Sequence, residues 1–151
     1  YDFSTPYAFN RTAVITKADD DSINTLEDLK GKKTANTISS TYAELAEQYG
    51  ATVTGVDDLN QTFELLLSGR IDATLNAEMT FYDYTKEHPD ANVKIAVLTD
   101  EANQIAIPMR KGDETAALRT AIDAAIDELR ADGTLKALSE KYFGRDISTE
   151  E

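Results

Sequence analysis

The sequence contains no cysteine and no tryptophan, and it has only one histidine. Without cysteine, disulfide scaffolds, thiolate zinc sites and cysteine nucleophiles are excluded together, while the redox compartment stays open. A single histidine excludes a multi-histidine metal site and a histidine-based catalytic pair. That residue, His88 in Lys86-Glu87-His88-Pro89, stands at a polar helix end before proline and reads as a solvated cap. No apolar run reaches the roughly 20 residues that cross a bilayer, and no secretory leader pattern stands at the start. The chain opens on Tyr1-Asp2-Phe3, so a processed or truncated beginning is expected. Basic residues are also scarce, 15 against 28 acidic ones, for a net charge of −13. Nucleic acid and anionic membranes need a basic face, so neither is expected as a partner. The acidic groups Asp2, Asp19 to Asp21 and Asp57-Asp58 lack the oxygen-ligand spacing of a calcium loop and read as turn acids. No cofactor and no metal are expected.

What is present suits a packed core: 41% of residues are hydrophobic, too many for a disordered chain. β-Branched runs predict strands over Thr12–Lys17, Thr34–Ile38, Thr52–Val56, Ile71–Leu75 and Val93–Val97. Between them, helical patterns cover Thr41–Tyr49, Leu59–Ser68 and Glu78–Lys86, with a single turn at Leu26–Leu29. Thr41 followed by Glu44 matches a capping box. Strand and helix alternating at short spacing imply crossover connections and a largely parallel sheet. The pattern then changes. A strand over Gln104–Met109 leaves the lobe, and an amphipathic helix from about Asp113 to Ala131 places Leu118, Ile122, Ala125 and Leu129 on one face. A last helix covers about Thr134 to Tyr142.

Four blocks in order along the chain carry a family likeness: Asp2-Phe3-Ser4-Thr5-Pro6-Tyr7, Leu26-Glu27-Asp28-Leu29-Lys30-Gly31-Lys32, Gly69-Arg70-Ile71-Asp72-Ala73, and Asp132-Gly133-Thr134-Leu135 through Lys141-Tyr142-Phe143-Gly144. The chain resembles the C-terminal two-thirds of the bacterial extracellular solute-binding proteins of family 3, the amino-acid receptors of ABC importers. Ile38 to Glu44 and Asp72 to Asn76 followed by Phe81 to Tyr84 are similar to the cystine-binding subgroup.

The resemblance implies an α/β, type II periplasmic-binding-protein fold, with one complete lobe of mixed, mostly parallel sheet and the C-terminal helices of an incomplete first lobe. Residues 1–11 would be the tail of lobe 1, 12–109 the hinge strands and lobe 2, and 110–151 the helices returning to lobe 1. The function implied is extracytoplasmic capture of a polar amino acid, cystine as the best candidate, and its delivery to an ABC importer permease, without enzymatic turnover. Location would be the periplasm, or the cell surface through a lipid anchor. A membrane-receptor sensor module and a dehydratase-type enzyme on the same scaffold are the alternatives. In the family the front of lobe 1 supplies an arginine for the ligand carboxylate and aromatics for its side chain. The chain is accordingly expected to be a fragment, to bind ligand poorly alone, and to pack its apolar stripe on a lobe-1 segment or on another copy.

Six residues are the ligand-binding candidates. Ser39, Ser40 and Thr41 stand where a strand feeds a helix, and the unpaired amides and positive dipole end of a helix suit a carboxylate; helix capping explains the same residues. Asn76, Ala77 and Glu78 end the next core strand. Many family members carry at the position of Ala77 an aspartate that pairs with the ligand ammonium; with alanine here, either Asn76 or Glu78 would substitute for it, or the missing part of lobe 1 would supply the acid. Glu78 reads equally well as a solvated acid at a helix start. The two groups are expected side by side at one sheet edge.

Overall fold

In the stretch Ala13-Val14-Ile15, successive side chains point to opposite faces of a strand, and all three are fully buried. Such a strand is covered on both sides, and the helices of this chain supply the covers. The computed structural model describes residues 1–150, which fall into two compact units: Arg11–Asp100, and Tyr1–Asn10 together with the residues from Glu101 on.

The elements run β1 (Asp2–Phe3), β2 (Ala8–Lys17), a 3₁₀ turn (Leu26–Leu29), β3 (Lys33–Thr37), α1 (Thr41–Gln48), β4 (Thr52–Val56), α2 (Leu59–Leu67), β5 (Thr74–Ala77), α3 (Glu78–Glu87), β6 (Val93–Ile105), β7 (Pro108–Met109), α4 (Ala116–Ala131) and α5 (Thr134–Phe143). The strands expected over Val93–Val97 and Gln104–Met109 are one continuous strand, β6, and the two-residue β7. The polar stretch Thr99 to Gln104 breaks the apolar alternation without breaking the strand. The strand expected over Ile71–Leu75 begins at Thr74 instead, because the Asp72 carboxylate accepts the Lys33 amide at 2.8 Å and turns the chain there.

In the unit Arg11–Asp100 the pairing is mixed. β3 and β4 run parallel, from Lys33 opposite Thr52 to Thr37 opposite Val56, and a parallel bridge joins Thr34 to Ala73 just ahead of β5. β5 is antiparallel to β2, from Thr12 opposite Ala77 to Ile15 opposite Thr74, and β6 follows beyond β2. One face packs Ala13, Ile15 and Ala35 against Phe63 and Leu66 of α2, with Phe81 and Tyr84 of α3 at the margin. The other packs Val14, Ala73 and Leu75 against Leu29 and Ala46. The 3₁₀ turn is fastened by Asp28, whose Oδ2 accepts the amides of Asn24 and Thr25, each at 2.9 Å. The Asn24 amide, and then the Thr25 amide, hold this carboxyl below its ordinary value.

In the other unit, β1 pairs antiparallel with β7 and Asp123 of α4 accepts the Thr5 amide at 2.6 Å. Ser139 of α5 ties down the C-terminal segment, accepting from Ile147 N at 2.7 Å and donating to Arg145 O at 2.8 Å. The apolar stripe of α4 stays largely exposed: Leu118 is 55% and Leu129 38% accessible.

Candidate functional site

β3 delivers the chain into α1 through Ile38, Ser39 and Ser40. Ser39 has φ of 60°, alone among the described non-glycine residues in being positive. A Cβ there meets the neighbouring carbonyl, at a cost of about 1–2 kcal/mol, and such outliers gather where a ligand is held. Ser39→Gly is therefore expected to stabilise the fold by about 0.5–1 kcal/mol, raising the melting temperature by about 1–4 °C. A fall in melting temperature on differential scanning calorimetry would mean that the Ser39 side chain makes a stabilising contact.

The cap of α1 lies one residue earlier than the sequence suggests. Ser40 is the N-cap, its Oγ accepting the Ala43 amide at 3.2 Å, and Thr41 is the first helical residue, so the Thr41–Glu44 box does not form. The reason is steric: the left-handed turn at Ser39 places Ser40 in extended conformation (φ −81°, ψ 150°), the geometry a capping residue needs. Accepting the amide leaves Ser40 its hydroxyl proton to donate, and the exposed Ser39 and Thr41 hydroxyls flank it.

At the second group, β5 becomes α3 without a connecting loop, Ala77 being both the last strand residue and the helix N-cap. Ala77 has no side chain that can cap α3. Asn76 Oδ1 accepts the Ala77 amide at 2.8 Å. Glu78 is not a solvated helix acid. It is 2% exposed, with Oε1 accepting the Arg11 amide at 3.0 Å, because the abrupt strand-to-helix turn carries its side chain against β2.

The topology brings the two groups to one edge. From β3 the chain crosses through α1 to β4 on one side, then through α2 to β5 on the other side of β3. α1 contributes to one face of the sheet and α2 to the opposite face, so the strand order reverses between β3 and β5. That is where open α/β sheets bind ligands, beyond the carboxyl ends of the strands. Between these two strands, Lys33 meets Asp72, Ala35 meets Thr74 and Asn36 meets Leu75, always 39 residues apart. β3 and β5 thus run in the same direction at a fixed offset, so the segments that follow their last residues leave one edge. Backbone bonds join the pair at Lys33 (Asp72 N to Lys33 O, 2.8 Å). Nearer the edge, side chains bridge it: Thr74 Oγ1 donates to Ala35 O at 2.8 Å and Asn36 Nδ2 to Leu75 O at 2.6 Å.

Asn36 in β3 and Ile38 just after it stand at this end of the strand, outside the six candidates. An asparagine within a strand is disfavoured, and that was the available signal for Asn36. Ile38 is 63% exposed and lies across β4 at Gly55, where a Cβ would come within 2.7 Å of Ile38 Cγ1.

The family model of bacterial extracellular solute-binding proteins, family 3, matches residues 1–145. A probable amino-acid ABC transporter-binding protein of Haemophilus influenzae is 38% identical over 148 residues, 98% of this chain and 57% of that one. The L-cystine-binding protein TcyA of Bacillus subtilis is 37% identical, over 98% of this chain and 54% of its own length. The crystal structure of the L-cystine solute receptor of Neisseria gonorrhoeae, in its unliganded open conformation, superposes with a TM-score of 0.81 at 40% identity, covering 98% of this chain and 62% of that one. The chain thus spans little more than half the length of the curated relatives it matches.

Proposed function

The chain belongs to the bacterial extracellular solute-binding proteins of family 3, and from that premise we propose that it supplies one side of an amino-acid-binding site. The observation that carries this reading is the meeting of Ser39–Thr41 with Asn76 and Ala77 at the reversal point of the sheet, each group leading into a helix. The amides and hydroxyls around Ser40 suit a carboxylate, and the Asn76 amide group suits the polar remainder of the ligand. Relatives named as L-cystine-binding proteins support cystine as the first candidate.

In this reading residues 12–109 are the hinge strands and second lobe, while 1–11 and 110–151 belong to the first. The protein works outside the cytoplasm and hands its ligand to an ABC importer permease. The exposed stripe at Leu118 and Leu129 fits packing on a further first-lobe segment or on a second copy. An enzymatic reading would need Glu78 as its acid or base, and the burial of Glu78 against the Arg11 amide favours binding.

Titration calorimetry of the complete gene product tests the proposal. L-Cystine is expected to bind at one site, and leucine at least about tenfold more weakly, because a cleft built for polar groups leaves them unpaired against an apolar side chain. Equal affinities would remove cystine as the ligand, and no binding of any amino acid would remove the proposal.

A further inference from the structure

We infer that Glu78 is a positioning residue of the binding edge, extending the β2–β5 ladder by one rung beyond the end of β5, and that it does not contact the ligand. Parity in the β2 backbone fixes which amides face β5. The Thr12 amide is directed toward β6, donating to Thr99 Oγ1 at 3.1 Å. Amides alternate sides along a strand, so those of Arg11 and Ala13 face β5. In the register Thr12 opposite Ala77, the residue opposite Arg11 is 78, and a continuing β5 would offer its carbonyl there.

β5 does not continue: the chain coils into α3 at Glu78. A buried amide without an acceptor is costly. The Glu78 side chain supplies the acceptor instead, Oε1 standing 3.0 Å from Arg11 N, with the residue 2% exposed. The carboxylate does the work of a strand carbonyl, and it anchors the point at which Asn76 and Ala77 reach the site edge. Arg11 is also the first residue of its compact unit, so this rung closes the ladder where β2 begins within that unit.

The inference deepens the binding reading and rests on it for its effect on affinity, but the rung itself is measurable without ligand. Glu78→Gln keeps an oxygen acceptor and removes the charge; Glu78→Ala removes both. Amide hydrogen exchange at Arg11 in the complete gene product is expected to stay slow in Glu78→Gln and to accelerate at least about tenfold in Glu78→Ala. Affinity for L-cystine by calorimetry is expected to stay within about threefold for Gln and to fall about tenfold for Ala. A loss of about tenfold or more in Glu78→Gln, with Arg11 still protected, would make Glu78 a direct partner of the ligand and overturn the inference. Unchanged Arg11 exchange in Glu78→Ala would overturn it as well. Should Glu78→Ala fail to fold, Glu78→Asp, one methylene short of Arg11, is expected to give the same exchange and affinity changes. If L-cystine does not bind the unmodified protein, the ligand assignment fails while Arg11 exchange still decides the rung.

Discussion

Phe63→Ala is expected to cost about 3–5 kcal/mol of folding stability, a large fraction of the roughly 5–15 kcal/mol that a domain commonly has. Phe63 is 1% exposed and lies at the centre of the cluster formed by Ala13, Ile15, Ala35, Val56, Leu66, Ile71 and Val93. Its ring is nearly parallel to that of Tyr84, with centroids 3.6 Å apart, so one side chain joins α2, α3 and the sheet. Truncation loses the transfer free energy of the ring and leaves a cavity that strands held on both faces cannot close. Tyr84 would lose its stacking partner too; burial, with a smaller contribution from Glu64, holds its hydroxyl above the ordinary value. Phe63→Leu keeps most of the apolar volume and should cost less, about 1–2 kcal/mol. Urea denaturation of the three proteins checks both values. A loss below about 1 kcal/mol for Phe63→Ala would mean that the cluster repacks and that Phe63 is not its keystone.

Why the helices could be read from the sequence, and parts of the site could not, is visible in single residues. α2 follows from apolar Phe63 and Leu66 three apart, a local signal, and Asp58, a turn acid by sequence, caps it, its carboxylate accepting the Gln61 amide at 3.0 Å. The α5 boundaries follow from Gly133 and Gly144, with φ of 82° and 75°, a conformation that favours glycine. That β3 and β5 deliver their chain ends to one edge is likewise legible, since strand–helix alternation implies parallel neighbours.

Whatever depends on a distant partner is not legible in the sequence. Glu78 reads as a surface acid until Arg11, 67 positions away, is placed beside it. Asp72 reads as a strand residue until it meets Lys33, 39 positions away. β6 fails for a related reason. Its polar second half, Thr99 to Gln104, pairs as strand without being buried as one, and periodicity reports burial rather than pairing. The shift of the α1 cap to Ser40 originates at Ser39, because nothing in a serine announces a left-handed backbone.

Asn36→Val is expected to weaken amino-acid binding about tenfold while changing stability by less than about 1 kcal/mol. The small stability change follows from two opposing effects of similar size. Asn36 is 2% exposed; its Nδ2 donates to Leu75 O at 2.6 Å, but its Oδ1 is buried with no hydrogen-bond partner. Valine removes the orphan oxygen, which is favourable, and deprives Leu75 of a donor, which is not; each is worth about 1–3 kcal/mol. A β-branched side chain also suits the strand.

The larger effect on binding follows from position. Near the edge, β3 and β5 are held by the side-chain bridges at Thr74 and Asn36, and Asn36 is the one nearer the site. Without it, Ser39–Thr41 and Asn76–Glu78 lose the link that fixes their separation, and small misplacements of paired polar groups are expensive. Thermal melts and L-cystine calorimetry on the complete gene product, run on the same preparations, separate the two quantities. Unchanged affinity would show that the Leu75 bond is incidental to the site. A stability loss above about 2 kcal/mol would make Asn36 a structural residue first, and its orphan oxygen would then need an explanation other than function.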